Sequence, residues 1–395
     1  MRIGYLMQAG SPRMATRPFS GPATHVRGVC DELKRLGHQV RIVARFDRQV
    51  LYSDDGRTFQ PDAGFRGSGL QGLVPFDSLG FAFACRRLLR GFDLFYERMG
   101  WLGFGGSMAS AWLRVPLIME VNGDHVWERG MYGQATGGMA LAAYTAATGL
   151  ALRRAGHVVA SGTAWRSRAI ERFRLEAERV SVVHNGTCLV DLLSREDLRC
   201  FAAAAGDGPV RIAYVGGFYP WHGVGVLLRA SRRLVDLGCP VELALMGSGP
   251  GLPDARGLAA QLGLGKRVAF TGPLPPGEYG PKLAASDIGA APYCGTVEFT
   301  GLKLMDYKAA GLAIVASGRD GRPEVIRDGV TGIIVGPGDE DALVQALLRL
   351  AQDRDLRRAL GRCARMEAEQ LHSWRHTAAA IEAIMKRVLA AARPP

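Results

Sequence analysis

Residues 210–246 read V-R-I-A-Y-V, then G-G-F-Y-P-W-H-G, then V-G-V-L-L-R-A-S-R-R-L-V-D-L, then G-C-P and V-E-L-A-L-M. An apolar run, a glycine-bearing loop, a stretch of helical periodicity, a glycine stop and a second apolar run make one strand–loop–helix–strand unit. Gly238 stands just past the helix, where left-handed backbone costs glycine little. The same unit opens the chain. Arg2–Met7 is apolar, a Gly/Pro/Ser loop runs to Gly21, and a helical pattern spans about Thr24 to Leu36. Gly37-His38-Gln39 and Val40–Ala44 complete it. Two such openings, one in each half, predict two doubly wound α/β domains side by side.

Both halves keep the alternation. Apolar runs at Leu94–Glu97, Leu117–Val121, Val158–Ser161 and Val180–His184 alternate with helical patterns in the first half. Val268–Thr271, Ile288–Pro292, Ile314–Ser317 and Gly332–Val335 do so in the second. Asp191–Gly208 is polar and rich in small residues, so the domains are expected at 1–190 and 209–374 with a linker at 191–208. A last helical pattern, at about 375–395, has no strand after it and is free to pack on either domain. Ligands of open parallel sheets bind at the carboxyl ends of the strands, so the cleft between two facing sheets is the expected site.

The bulk properties narrow the class. With 395 residues, 48% hydrophobic and 22% charged, the chain is ordinary globular protein, which excludes a disordered or fibrous one. Its seven cysteines are odd in number and form no C-x-x-C pair, which argues against a disulfide framework or zinc site and fits a reducing cytosol. Met1–Met7 runs directly into a strand without a signal-peptide pattern. The longest mainly apolar stretch, Gly138–Leu152, falls short of the roughly 20 residues needed to span a bilayer. A soluble, cytoplasmic protein is expected. Net charge is +12, and residues 1–190 hold 24 basic and 15 acidic residues against 25 and 22 in the rest. Such asymmetry suits an anionic partner or, equally, an arginine-rich solvated surface. Nucleic-acid motifs are absent. Phe81-Ala82-Phe83-Ala84-Cys85-Arg86-Arg87-Leu88-Leu89-Arg90 reads as a short basic apolar helix, which either docks on an anionic membrane or packs on its own sheet with its arginines in water.

The chemistry concentrates in residues 298–339, E-F-T-G-L-K-L-M-D-Y-K-A-A-G-L-A-I-V-A-S-G-R-D-G-R-P-E-V-I-R-D-G-V-T-G-I-I-V-G-P-G-D. Thr300, Gly301 and Leu302 precede an apolar-periodic stretch, so their amides are the unsatisfied donors of a helix start, suited to a diphosphate. Lys303, in the first turn, opposes the helix dipole unless an anion sits there, which makes it a candidate diphosphate partner. Glu298 can accept hydrogen bonds from sugar hydroxyls. Asp306, about one turn inside, can take the two hydroxyls of a ribose. Lys308 is expected at the surface.

This segment resembles the donor-binding region of glycosyltransferase family 4, retaining enzymes of the GT-B fold. Glu298-x7-Asp306, Ala309-Ala310-Gly311, Glu324, Asp328-Gly329, Gly332 and Pro337-Gly338-Asp339 carry the likeness. The resemblance implies two facing Rossmann-like domains and transfer of a sugar from a nucleotide diphosphate-sugar to a saccharide or lipid-linked saccharide acceptor. It implies no cofactor and no metal requirement. In it the first acid, Glu298, contacts the transferred sugar and the second, Asp306, the ribose. The loop Gly216–Gly223 matches a family segment G-R-x-x-x-x-K-G, with Gly217 where the arginine stands and His222 where the lysine stands. This W-H-G variant leaves His222, Lys303 and backbone amides to share the phosphate charge, with a structural histidine as the competing reading. Gly247 and Gly249 match a nucleotide-side G-x-G-P loop, and Thr271-Gly272 a base-reading F-x-G loop. In the first half, Gly21 lets backbone approach phosphates or acceptor, Thr24 is a candidate N-cap, and His25 lies either toward the cleft or at the surface. Asn122 stands where many relatives have a histidine and is a hydrogen-bond partner for the reacting sugar. Glu120 reads as buried and structural, Asp124 and His125 stay open, and His184-Asn185-Gly186 reads as a turn. A nucleotide-sugar epimerase of the same fold and a non-catalytic nucleotide-sugar binder are the alternative functions.

Overall fold

A computed structural model describes residues 1–8, 20–46, 48–66, 74–123, 125–131, 137–204, 208–295, 301–319 and 323–392. It divides into two compact units, Met1–His184 with Trp374–Pro395, and Asn185–Ser373.

The first unit runs β1 (Arg2–Met7), α1 (Gly21–Arg35), β2 (Gln39–Phe46), β3 (Gln49–Ser53), β4 (Gln60–Arg66), α2 (Val74–Leu88), β5 (Leu94–Arg98), α3 (Gly105–Leu113), β6 (Leu117–Val121), α4 (His125–Met131), α5 (Gly138–Arg154), β7 (His157–Ala160), α6 (Thr163–Phe173) and β8 (Val180–Val182). Among the described residues its sheet has the order β4-β3-β2-β1-β5-β6-β7-β8. The neighbours from β2 through β8 are parallel, and the order reverses between β1 and β5, where such folds place their ligands. The antiparallel pairs β2–β3 and β3–β4 extend the edge, an addition that the alternating pattern did not announce. β4, at the edge, carries Gln, Pro and Asp, as exposed edge strands do.

In the second unit, α7 (Leu189–Leu192) and α8 (Arg195–Ala204) precede β9 (Val210–Val215), α9 (Val224–Asp236), β10 (Val241–Met246), α10 (Leu252–Gln261), β11 (Val268–Gly272), α11 (Pro276–Ala284), β12 (Ile288–Ala291), α12 (Leu302–Ala309), β13 (Ala313–Ser317), β14 (Ile333–Val335), α13 (Glu340–Gln352) and α14 (Arg354–Leu371). The described strands form one parallel sheet, β11-β10-β9-β12-β13-β14, which reverses between β9 and β12. Leu227, Leu228 and Leu234 of α9 cover one face of this sheet; Leu304, Met305 and Tyr307 of α12 join the cluster on the other. Each leucine so removed from water contributes about 1.5–3 kcal/mol.

Two expectations change. The stretch 191–208 is largely helix and belongs to the second unit, whose boundary falls at His184/Asn185. Ser194 and Asp197 start α8: the Ser194 amide donates to the Asp197 carboxylate (2.8 Å), and the Asp197 amide to the Ser194 hydroxyl (3.0 Å). In α1 the N-cap is Ser20, whose hydroxyl accepts from the Ala23 amide at 3.4 Å, and Thr24 lies already inside the helix. The final helix is α15 (Trp374–Ala392), grouped with the first unit. Its Trp374 lies where a side chain on Gly28 of α1 would have to be, 2.2 Å from a Cβ built there.

Candidate functional site

In the second unit, backbone alone draws three strand-end loops together. Gly247 has φ 138°, and a Cβ there would lie 1.9 Å from the Gly216 carbonyl oxygen. The Phe218 amide donates to the Ser248 carbonyl (3.0 Å), the Gly251 amide to the Phe218 carbonyl (2.9 Å) and the Gly247 amide to the Gly272 carbonyl (2.8 Å). Gly217, Gly247, Gly249, Thr271 and Gly272 are thereby gathered at the carboxyl ends of β9, β10 and β11.

The departure at Gly217 has a steric reason. A Cβ at this position would fall 2.4 Å from the Tyr219 ring, which stacks on Trp221 with centroids 5.0 Å apart. The aromatic pair fills the space that an arginine stem would need. The Gly217 carbonyl accepts from the Tyr214 hydroxyl and from His222 Nδ1 at 2.7 Å, which assigns the ring proton to Nδ1. Burial, then the Lys303 charge, push the His222 imidazole down to about 3. His222 is therefore neutral at neutral pH, a correction to its expected share in the phosphate charge: a ring this buried beside an ammonium does not hold a second proton. Its ring carbon shifts should stay flat from about pH 5 to 8 in NMR; a midpoint near the ordinary value of about 6.5 would contradict the assignment.

The cation of the site is Lys303. α12 starts at Gly301, whose φ of 61° is left-handed, and among the described residues no side chain caps the helix. Lys303 is 7% exposed, with Nζ 4.2 Å from the Tyr214 ring centroid and 4.8 Å from that of Tyr293. Nζ has no hydrogen-bond partner among the described residues. Burial pushes its pKa down to about 7. Two aromatic faces hold the ammonium, yet nothing described neutralises it, and it stands at a helix start whose Leu302 and Lys303 amides have no backbone partner among the described residues. An anion completes this arrangement electrostatically.

Further along α12, Asp306 Oδ1 accepts from the Thr187 hydroxyl (2.6 Å) and Oδ2 from the Tyr279 hydroxyl (2.9 Å). Burial pushes this carboxyl up to about 6 against those two bonds. Each oxygen keeps a second lone pair for a ligand hydroxyl. Thr187 and Tyr279 carry no motif, and only the fold reveals them. Glu298 and Thr300 lie outside the described residues, as does Asp124. Lys308 is wholly buried and paired with Glu367, which corrects its expected surface position: α14 packs over this face of α12.

In the first unit, His25 is 3% exposed, with Nε2 2.8 Å from Glu120 Oε1 and its ring edge-on to Trp374. Glu120 Oε2 accepts from the Tyr5 hydroxyl (3.2 Å). Burial raises the Glu120 carboxyl, but His25, Arg98 and Asn122 together bring it below the ordinary value. His25 is thus a buried residue tied to Glu120, not the surface histidine that was one of its two expected placements. Asn122 is half-buried just past β6, and Gly21 is the exposed first residue of α1. His125 sits beside the β5 end, with Nε2 3.2 Å from the Met99 carbonyl.

Comparison with known proteins supports the sequence likeness. Residues 20–186 match the glycosyl transferase 4-like domain, and residues 209–353 match the glycosyl transferases group 1 domain. D-inositol 3-phosphate glycosyltransferase of Nocardia farcinica is 32% identical over 236 residues, 58% of this chain and 51% of that protein. The GDP-mannose-dependent alpha-(1-6)-phosphatidylinositol monomannoside mannosyltransferase of Mycolicibacterium smegmatis is 32% identical over 176 residues, 43% of this chain and 46% of that one. The chain spans about half the length of the curated relatives it matches. Among solved structures, sucrose-phosphate synthase from Thermosynechococcus elongatus superposes with a TM-score of 0.74 at 19% identity, covering 99% of this chain and 100% of that one. HepE of Anabaena in complex with UDP gives 0.72 at 20%, covering 98% and 100%. These structures share the GT-B fold. With a 4-like domain followed by a group 1 domain on that fold, the chain belongs to the family 4, group 1 glycosyltransferases.

Proposed function

We propose that the chain is a retaining glycosyltransferase of a W-H-G subgroup, moving a hexose from a nucleoside diphosphate-sugar to a saccharide or lipid-linked saccharide acceptor in cell-surface polysaccharide or glycolipid synthesis. One observation carries the reading: a buried Lys303 ammonium at the start of α12, with no hydrogen-bond partner and no side-chain cap beside it among the described residues. In the transfer the bond between the anomeric carbon and the diphosphate breaks, and the acceptor oxygen bonds that carbon on the same face. The departing phosphate oxygen takes the acceptor proton. Charge grows on the leaving diphosphate, where the Leu302 and Lys303 amides and the Lys303 ammonium stabilise it more in the transition state than before. Because those groups meet the charge, turnover should be the same with a chelator as with added magnesium. Glu298 holds the transferred sugar, Asp306 the ribose, and the Thr271–Gly272 backbone the base. The UDP held by HepE, at 20% identity, agrees with a nucleoside diphosphate ligand here.

A nucleotide-sugar panel screened by thermal shift, followed by NMR of the product with an acceptor, tests the reading. Acceptor-dependent transfer with retained anomeric configuration is the expected result. Donor binding without transfer would leave a binder, and altered sugar without acceptor an epimerase. Glu298→Gln and Asp306→Asn should each cost about ten- to a hundredfold in kcat/KM, the worth of a hydrogen bond to a charged group, at nearly unchanged melting temperature. Full activity in both would remove these residues from the donor.

A further inference from the structure

α2 presents one exposed stripe to solvent. Phe76 is 74% exposed, Leu79 42% and Phe83 49%, and the stripe continues through Arg86 to Arg90 in the turn that follows. The spacing of three, four, three and four residues keeps them on one face of the helix. Trp112 of α3, 39% exposed, extends the face sideways, with its ring 5.0 Å from Phe83. Phe81, on the opposite side of α2, is fully buried, so one face of this helix packs on the fold, as one of the two sequence readings has it, and the other face is left to solvent.

Single exposed hydrophobics are ordinary, but four large ones in a row are not. Charge decides what fits them. Arg86 and Arg90 make no ion pair among the described residues, whereas Arg87, next to them, is taken by Asp62. The acid of α2, Asp77, is buried against Arg45. The stripe is therefore apolar at one end, cationic at the other and free of exposed carboxylates. No helix of the described residues is long and apolar enough to cross a membrane. Aromatic and aliphatic side chains for the acyl boundary, beside arginines for headgroups and with no exposed carboxylate on the stripe, match an anionic bilayer surface. We propose that this face of α2 and α3 docks the protein reversibly on anionic phospholipid membranes, independently of the sugar-transfer reading.

Co-sedimentation of the full chain with phosphatidylcholine vesicles containing about 30% phosphatidylglycerol tests it. Binding is expected at about 50 mM salt, with loss at about 500 mM and none to pure phosphatidylcholine. Arg86→Gln and Arg90→Gln should each lower the partition coefficient about fivefold, while Arg86→Lys with Arg90→Lys retains it. Phe76→Ser with Phe83→Ser should abolish binding with an unchanged circular dichroism spectrum and melt. Absence of binding to the anionic vesicles at low salt, or undiminished binding by the glutamine variants, overturns the proposal. A dimer in light scattering that Phe83→Ser dissociates would assign the face to a second copy instead.

Discussion

Lys303→Met should cut turnover about 10²–10³-fold and weaken nucleoside diphosphate binding about ten- to a hundredfold, while raising the melting temperature of the unliganded protein. The two effects have one cause. In the folded, unliganded state burial lowers the Lys303 pKa from 10.5 to about 7, so between these values the unfolded chain holds more protons than the folded one. The fold is penalised in full below about pH 7, and the penalty fades as pH rises toward the unfolded value. Methionine removes it, at the loss of two cation–aromatic contacts worth about 0.5–2 kcal/mol each. Each net kcal/mol gained should raise the melting temperature by about 2–4 °C in a domain of this size.

Ligand binding reads the same group with the opposite sign. A diphosphate binds the ammonium form, so wild-type affinity should be greatest below about pH 7 and decline above it, by up to about tenfold per pH unit. The methionine variant should lack that decline, and an arginine variant should bind into the alkaline range. Calorimetry across pH on the three proteins checks this. Unchanged affinity in Lys303→Met would show that backbone amides alone hold the diphosphate.

Why this much was legible in sequence, and no more, follows from what each feature depends on. The strands β1, β9 and β10 and the glycine stops at Gly37 and Gly238 are local: hydrophobic period and left-handed backbone suffice to place them. β3 owes its existence to pairing with β2, and the edge strand β4 to pairing with β3, partners that no window of local pattern contains. Helix α8 was hidden because its polar, alanine-rich composition is also that of a linker. In the site, Lys303 stood out because a cation in a first helical turn opposes the dipole. Its cage was invisible, since Tyr214 lies in β9 and Tyr293 follows β12, far apart along the chain. His222 and His25 show the same limit. What a histidine does is set by its surroundings, here burial and the Lys303 charge for His222, and the close contact with Glu120 for His25.

Glu367→Ala should destabilise the second unit by about 3–5 kcal/mol, the cost of leaving a buried charge without its partner. Glu367 receives the Lys308 ammonium from α12 and Arg327 Nε at 2.8 Å, and His372 Nε2 lies 3.3 Å from Lys308 Nζ. Lys308 is wholly buried, so its ammonium depends on this partner. Lys308→Met with Glu367→Ala removes both charges and should recover much of the loss, so a double-mutant cycle in denaturant, with Lys308→Met alone as its other corner, isolates the pair. Acid should act in the same direction. Burial raises the Glu367 carboxyl, but Lys308 and Arg327 bring it below its ordinary 4.5. Its contribution is therefore present at neutral pH and lost as pH falls through that lowered value. The damage should reach the site as well. His372 accepts the Thr187 amide on its carbonyl (2.8 Å), and the Thr187 hydroxyl donates to Asp306 on the same helix as Lys308. Loosening α14 from α12 thus loosens the strap that orients Asp306, and nucleotide affinity should fall in Glu367→Ala and return in the double variant. A single variant within about 1 kcal/mol of wild type would mean that His372 and Arg327 redistribute the charge without help from the fold.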